Sequence, residues 1–181
     1  LVFLYLPFSA HYFLSAVEPP LKAMSRWDGL LERDQVSGLV AVNAHGGFRL
    51  GQALDVPLPS YSSLFDSLVL GIDRRYKRSP FEAIRQGDFF CLVRAAGEPK
   101  RFEFTALADH DTFRSGSLVP GQAHLRVSAE VESLKLRLVL RRNGEVVKES
   151  EGDLLEHGPV GVGVYRAEVY LSNHPFLSPE V

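Results

Sequence analysis

The chain has 181 residues, of which 45% are hydrophobic and 23% are charged, and its formal net charge is −2. This length allows one or two domains with a real core, and the charge gives no reason to expect nucleic acid or an anionic membrane surface as a partner. The one cysteine, Cys91, lies in the apolar run FFCLV, which excludes an intrachain disulfide and predicts a buried thiol. Because Leu1 is not an initiator methionine, we expect the chain to be a fragment or a processed product.

The chain opens with an apolar segment, LVFLYLPFSAHYFLSAV. A proline and two polar residues interrupt it and no basic residue precedes it, so the pattern favours buried protein structure over a membrane-spanning helix. Pro19-Pro20 ends the segment, and apolar residues then recur at helical spacing, which predicts an amphipathic helix from Pro20 to about Arg33. The apolar positions of this helix are Leu21, Met24, Trp27, Leu30 and Leu31.

The next stretch, VSGLVAVNAHGG, is where the sequence points to chemistry. Its apolar run Leu39–Val42 predicts a strand buried on both faces, as in a parallel sheet. The run stops at Asn43-Ala44-His45, and Gly46-Gly47 then turns the chain. Polar residues at the carboxyl end of a buried parallel strand are where α/β folds place their sites. Asn43 and His45 are two residues apart and therefore project on the same side of an extended backbone.

Short elements fill the following residues. Prolines predict irregular structure from Phe48 until Ser60, which is placed as the N-cap of a helix over Tyr61–Asp66. Leu68–Ile72 is predicted as a strand. Ser79, Pro80 and Gly87 are placed as N-cap, first residue and terminator of a second helix, and Phe89–Val93 is predicted as another buried strand.

A basic cluster lies between these elements, at Arg74, Arg75, Lys77 and Arg78. It has two interpretations, a solvated loop and a phosphate-binding patch, and the solvated loop is the more usual case.

The hydrophobic pattern changes to period two from about Arg101. In Ala123–Val131 and Leu134–Arg142 apolar and polar residues alternate, which predicts half-buried antiparallel strands. Tyr165, Ala167, Val169 and Leu171 share one face of a last strand. We therefore divide the chain into residues 1–100, the α/β segment, and residues 101–181, the β-module, which we expect to be sandwich-like.

Asn143-Gly144 is the clearest turn signal in the chain, because both residues tolerate positive φ. A two-residue loop at this point pairs Arg142 with Glu145 and Leu140 with Val147 across a hairpin.

Candidate site residues are few. His45 at the end of a buried strand can ligate a metal through its imidazole, and Asn43 can contribute a weak carbonyl oxygen, although a lone histidine is more often structural. Asp109-His110-Asp111 has a metal-like composition but no ligand spacing, so a solvated turn is favoured. The glycines at 158, 161 and 163 precede a strand instead of joining a strand to a helix, which argues against a dinucleotide loop.

The order of several segments adds a resemblance. SRWDGLLERDQVSGLVAVNAHGG, DVPLPSYSSLF, SPFEAIRQGDFF, LVLRRNGEVV, GVYRAEVYL and HPFLSPEV follow one another. This arrangement resembles the later part of the PHP (polymerase and histidinol phosphatase) superfamily, in particular a bacterial subgroup in which the catalytic barrel is followed by a β-rich tail.

The resemblance implies a distorted (β/α)₇ barrel whose histidines and acids hold two or three divalent metals, and these metals activate water against a phosphoester. Asn43-Ala44-His45 falls on the last metal motif of the family, Asp-X-His, so the resemblance makes His45 a candidate metal ligand and places Asn43 where the family has aspartate. The earlier motifs, beginning with His-X-His, have no counterpart in the chain.

The expected fold is therefore α/β followed by all-β: the C-terminal part of a PHP-like (β/α) barrel, then an antiparallel β-sandwich-like module. Two functions follow. The chain is the C-terminal part of a PHP-like metal-dependent phosphoesterase, inactive by itself, with zinc, manganese or magnesium as cofactor and a phosphoester as substrate. Alternatively, it is a non-catalytic remnant whose β-module serves binding or assembly. In both cases the expected partner is the missing N-terminal part or another chain, with no nucleic acid and no membrane span.

Overall fold

A computed structural model describes residues 20–41, 48–50, 54–56, 61–73, 75, 78–132 and 135–172. The opening apolar segment and both candidate ligands, Asn43 and His45, lie outside the described residues. Among the described residues, no helix has the length and apolar character needed to cross a membrane.

The helices agree with the sequence patterns. They are α1 (Leu21–Leu31), α2 (Tyr61–Ser67) and α3 (Pro80–Gln86). The capping prediction for α3 is confirmed, because the Ser79 hydroxyl accepts from the Glu82 N–H and the Glu82 carboxylate accepts from the Ser79 N–H. Gly87 ends α3 in the left-handed conformation, with φ of 73°.

Two antiparallel strand pairs occupy the α/β segment. β1 (Phe48–Leu50) pairs with β2 (Leu54–Val56), and β3 (Leu68–Gly71) pairs with β4 (Phe90–Val93). The irregular structure predicted after Gly47 is therefore wrong in part, since it contains a short hairpin. β3 and β4 confirm two predicted strands, but they pair antiparallel and are only partly buried, so Cys91 is exposed and not buried as predicted.

The predicted strand Leu39–Val42 is wrong over the described residues 39–41, which have no regular structure. Leu39 is 58% exposed. The segment just before it is held by side chains and not by a strand ladder: the Trp27 indole N–H donates to the Val36 carbonyl at 2.9 Å, and the Ser37 hydroxyl donates to the Ile84 carbonyl at 3.2 Å. An apolar run of four residues is too short to distinguish a buried strand from such an extended connection.

The described part of the β-module contains seven antiparallel strands. They are β5 (Arg101–Ala108), β6 (Asp111–Arg114), β7 (Ala123–Glu130), β8 (Leu136–Arg142), β9 (Glu145–Glu151), β10 (Leu154–Val160) and β11 (Tyr165–Leu171). One sheet has the order β10-β7-β5-β6 and the other has the order β11-β8-β9. β5 begins at the residue where the β-module was placed to start, and the division into two domains stays a prediction.

A single apolar core joins the two sheets. Val127 from one sheet and Leu138 and Leu140 from the other have no exposed surface. The apolar face predicted for the last strand, from Tyr165 to Leu171, packs against this cluster. The alternation of buried and exposed residues predicted for β7 is confirmed except at Ser128, which was placed on the polar face but is 9% exposed. The two core-facing sheets make the β-module a sandwich.

One residue of β8 departs from the alternation. Val139 was placed on the polar face of its strand but is 1% exposed. Its partner across the ladder, Glu168, is also almost fully covered. The outer face of the β11-β8-β9 sheet is therefore covered at this point.

The predicted hairpin is confirmed, but its register is only partly right. Asn143 and Gly144 have φ of 51° and 85°, and Arg142 pairs with Glu145 as expected. The ladder then shifts, and Leu140 pairs with Lys148 instead of Val147. A β-bulge inserts one extra residue into β9. The shift places the Lys148 ammonium group 2.7 Å from the carbonyl oxygen of Glu156, which ties β9 to β10.

Candidate functional site

The two predicted metal ligands, Asn43 and His45, are not among the described residues, so their geometry stays a prediction. No group of three or more histidine, cysteine, aspartate or glutamate side chains within the described ranges is placed to hold a metal ion. Of the acids that flank the motif in sequence, Asp28 and Asp34 are described, whereas the side chain of Asp55 is not.

Asp109-His110-Asp111 forms a turn, as the composition argument favoured. Asp109 and His110 make the connection between β5 and β6, and both have positive φ and exposed side chains. The solvated-turn interpretation of this sequence is confirmed.

Asp28 lies at one end of a charged array. This acid is the buried residue of α1, and Arg166 of β11 binds it with two nitrogens, Nε to Oδ1 at 3.1 Å and Nη2 to Oδ2 at 2.8 Å. Arg166 also donates to Glu168, whose other oxygen accepts from Arg141 at 2.9 Å and from the Tyr170 hydroxyl at 2.9 Å. Two carboxylates and two guanidinium groups therefore alternate in a line, and their charges balance.

The neighbours of Glu168 have altered proton affinity. The hydrogen bond from Arg141 to Glu168 raises the pKa of the arginine, and burial followed by the nearby Glu168 charge raises the pKa of Tyr170. Both groups therefore keep their protons at neutral pH. Such an array is suited to holding two elements together, because every charge in it already has a partner.

A second charged cluster lies where the α/β segment meets β5 and β6. Arg114 donates hydrogen bonds from Nε and Nη2 to the carboxylate of the buried Asp88 at 2.9–3.1 Å, and its Nη1 lies 3.7 Å from Asp73. Arg75 binds Asp73 and also Glu103. Arg78 donates to Asp88 at 3.3 Å. The two described members of the predicted basic cluster, Arg75 and Arg78, are thus both engaged by carboxylates, and Arg74 and Lys77 lie outside the described residues.

A small cleft opens at this cluster. Its walls include the rings of Phe89, Phe90 and Phe102 and the side chains of Asp73, Asp88 and Arg114, and its volume is about 30 Å³. This volume has room for one or two waters, whereas pockets for small organic ligands usually measure about 300–1,000 Å³. The cleft is therefore a small gap between elements and is too small to be a substrate pocket.

The electrostatics of this cluster predict an acid-dependent stability. Hydrogen bonds from Arg75 are the largest cause of the lowered pKa of both Asp73 and Glu103, below their ordinary values of 3.8 and 4.5. A carboxyl whose pKa is lower in the folded state stabilises the fold above its unfolded-state pKa, and this contribution is lost as the pH falls through the folded-state value. We expect urea unfolding of the wild type to show stability falling from about pH 4.5 downward, and Arg75→Met to flatten this slope.

Arg126→Met is the matched control, because Arg126 lies 3.9 Å from Glu156 with both side chains more than half exposed. Its slope should follow the wild type. Equal slopes for wild type and Arg75→Met below pH 4.5 would contradict the assignment of these pKa shifts to Arg75.

Contacts to the backbone of Gly116 also connect the α/β segment to the loop after β6. The side-chain amide of Gln35 donates to the carbonyl of Gly116, in the loop after β6. Gly116 also lies directly against the end of α3, where a Cβ would overlap the carbonyl oxygen of Gln86 and lie 2.7 Å from its carbonyl carbon. The loop after β6 can approach α3 this closely only with glycine at this position.

Sequence reasoning singled out Arg75 and Arg78 of the second cluster as basic residues, but it did not predict the carboxylates that bind them or the array around Arg166. Asp28 interrupts an apolar helical stripe, four residues after Met24 and three before Leu31, which is the signal that could have marked it as buried. Arg166 and Glu168 were assigned correctly to the face of β11 opposite the core, but nothing in the alternation shows that a helix covers them. Comparisons with protein-family models, with curated proteins and with solved structures gave no match to this chain.

Proposed function

We propose that this chain is the C-terminal part of a PHP-like metal-dependent phosphoesterase and that its β-module is a non-catalytic support for the α/β segment. The observation that carries the support role is the pairing of two arginines of the β-module, Arg114 and Arg166, with two buried acids of the α/β segment, Asp88 and Asp28. The phosphoesterase assignment rests on the order of segments described above and on Asn43-Ala44-His45.

The donor set of the chain limits what it can do alone. A catalytic zinc site usually has three protein ligands, and manganese or magnesium requires several oxygens. One imidazole and one neutral amide do not meet either requirement, and Asp28 is committed to Arg166. Under this proposal, the remaining ligands of the metal centre come from an N-terminal part of the same protein or from another chain. When bound, the metals of such a centre supply hydroxide and stabilise the phosphoryl oxygens.

A second function is a non-catalytic remnant whose β-module serves binding or assembly. The observation in its favour is Asn43, which stands where the family has an aspartate and so removes an anionic oxygen ligand. The two functions differ in whether metal motifs exist upstream in the parent gene. A His-X-His after a strand in that sequence supports the enzyme, and its absence supports the remnant.

We expect the purified chain to hydrolyse a generic phosphomonoester no faster than a protein-free blank with added manganese, zinc or magnesium. The reason is the incomplete donor set, and the measurement is release of the chromogenic leaving group beside a His45→Ala control. Isothermal titration should show weak or no binding of the same metals. Robust turnover that is lost in His45→Ala would contradict the expectation and show a self-sufficient enzyme.

A further inference from the structure

Helix α1 needs an anchor from outside its own sequence. It has 11 residues, and its N-cap is Pro20, which forms no side-chain capping bond. Helices shorter than about 12–15 residues are marginal in water, so tertiary contacts must hold α1 in place. Its apolar residues Leu21 and Leu30 are exposed, and its one buried side chain is the carboxylate of Asp28.

Arg166 supplies this anchor through two neighbouring residues of the helix. Its guanidinium group binds Asp28 bidentately and also lies over the ring of Trp27, with Cζ 5.7 Å from the ring centre. Trp27 in turn holds the segment after α1, because its indole N–H donates to Val36 and Gly38 packs directly against the ring. Arg166 is therefore the charged anchor of α1 and residues 32–38. Two exposed hydrogen bonds also tie this unit to other elements, from Gln35 to the Gly116 carbonyl and from Ser37 to the Ile84 carbonyl, and both must break when the unit detaches.

The sandwich, by contrast, does not depend on α1 for its core. The apolar cluster between the two sheets draws its described members from Phe102 onward. Arg166 retains a partner when α1 leaves, because Glu168 accepts from it on the same strand. Arg166 and Arg141 are also partners across the β11-β8 ladder, so the array stays assembled on the sheet.

We propose that Arg166 is an ionic latch, and that α1 with residues 32–38 can detach as one unit from the outer face of the β11-β8-β9 sheet while the sandwich stays folded. Arg166 holds α1 by its ion pair with Asp28 and its contact with the Trp27 ring. Detachment of α1 exposes both Trp27 and Asp28 to water. This inference stands on the described contacts and does not depend on the phosphoesterase assignment.

The test uses the full chain and three of its own features. Trp27 is the single tryptophan, so its fluorescence reports only on α1, and Lys22 and Arg33 are trypsin sites near the two ends of α1. Asp28→Asn keeps the shape of the side chain but removes the charge that Arg166 binds. Asp109→Asn, the same change in an exposed turn of the β-module, is the matched control.

We expect trypsin to cut Asp28→Asn after Lys22 and Arg33 about tenfold faster than the wild type or Asp109→Asn, since cleavage follows the population of the open form. Trp27 emission should move to longer wavelength, and far-UV circular dichroism of the strands should be unchanged. Arg166→Met should behave like Asp28→Asn, whereas Arg126→Met, an exposed arginine on β7 of the other sheet, should behave like the wild type.

Two outcomes would overturn the proposal. One is wild-type cleavage rates and an unchanged Trp27 spectrum in both Asp28→Asn and Arg166→Met. The other is cleavage that spreads through β5–β11 at the same rate as after Lys22 and Arg33, which would mean that the chain unfolds as a whole and that no separate unit exists.

Discussion

Gly116→Ala is expected to lower the free energy of unfolding by about 2–5 kcal/mol. Gly116 has φ of 78°, a left-handed conformation that costs an L-residue about 1–2 kcal/mol. The added methyl group would also overlap the Gln86 carbonyl at the end of α3, and overpacking costs about 1–3 kcal/mol more. Backbone atoms cannot rotate away as a side chain can, so the loop after β6 must separate from α3. Urea unfolding at pH 7 followed by circular dichroism measures the loss.

Gly121→Ala separates the two causes. Gly121 has φ of 71°, almost the same as Gly116, but a Cβ there would meet only a carboxylate oxygen of Asp109 at 4.0 Å. We expect Gly121→Ala to lower the free energy of unfolding by only about 1–2 kcal/mol, the cost of the left-handed conformation. If both substitutions cost the same, the close packing of Gly116 against α3 is wrong.

Leu138→Ala is expected to destabilise the chain by about 2–5 kcal/mol, the range for removing a fully buried leucine side chain. Leu138 has no exposed surface and lies in the middle of β8, the central strand of its sheet. Truncation leaves a cavity between the two sheets, which the close packing around it cannot fill without moving a strand. Thermal and urea unfolding measure the change.

Leu118→Ala is the same chemical change at a residue that is 84% exposed. Its effect should lie within about ±0.5 kcal/mol of zero. A loss from Leu138→Ala no larger than the loss from Leu118→Ala would show that β8 does not lie in the core.

Local sequence signals predicted the structure correctly wherever an element depends mainly on residues close to it in the chain. Ser79, Pro80, Glu82 and Gly87 define α3 completely, because capping and termination are satisfied within nine residues. The alternation in β7 gave its buried face for a similar reason, since side chains of a strand point to opposite faces in turn. Asn143-Gly144 gave the position of the hairpin.

Local patterns did not predict the features that depend on contacts between distant parts of the chain. The bulge beside Leu140 accompanies a bond from Lys148 to the backbone of β10, and the sequence of the hairpin alone does not predict that contact. No local pattern predicts a partner for Asp28, which Arg166 binds from 138 positions further along the chain. The run at Leu39 has the composition of a buried strand, but a strand also requires neighbours, and its described residues pair with none. Asn43 and His45 remain predictions from sequence and resemblance alone.

The separation of Asp28 and Arg166 along the sequence determines which part of the chain can reach its final structure first during synthesis. The two residues are 138 positions apart. At about 5–20 residues per second the ribosome adds Arg166 roughly 7–28 s after Asp28. For that time α1 has emerged without the strand that anchors it, and a helix of its length is marginal alone. Domains usually mature from the N-terminus first. In this chain α1 is synthesised early but can dock only after β11, the last described strand. Its docking therefore follows the completion of the sandwich.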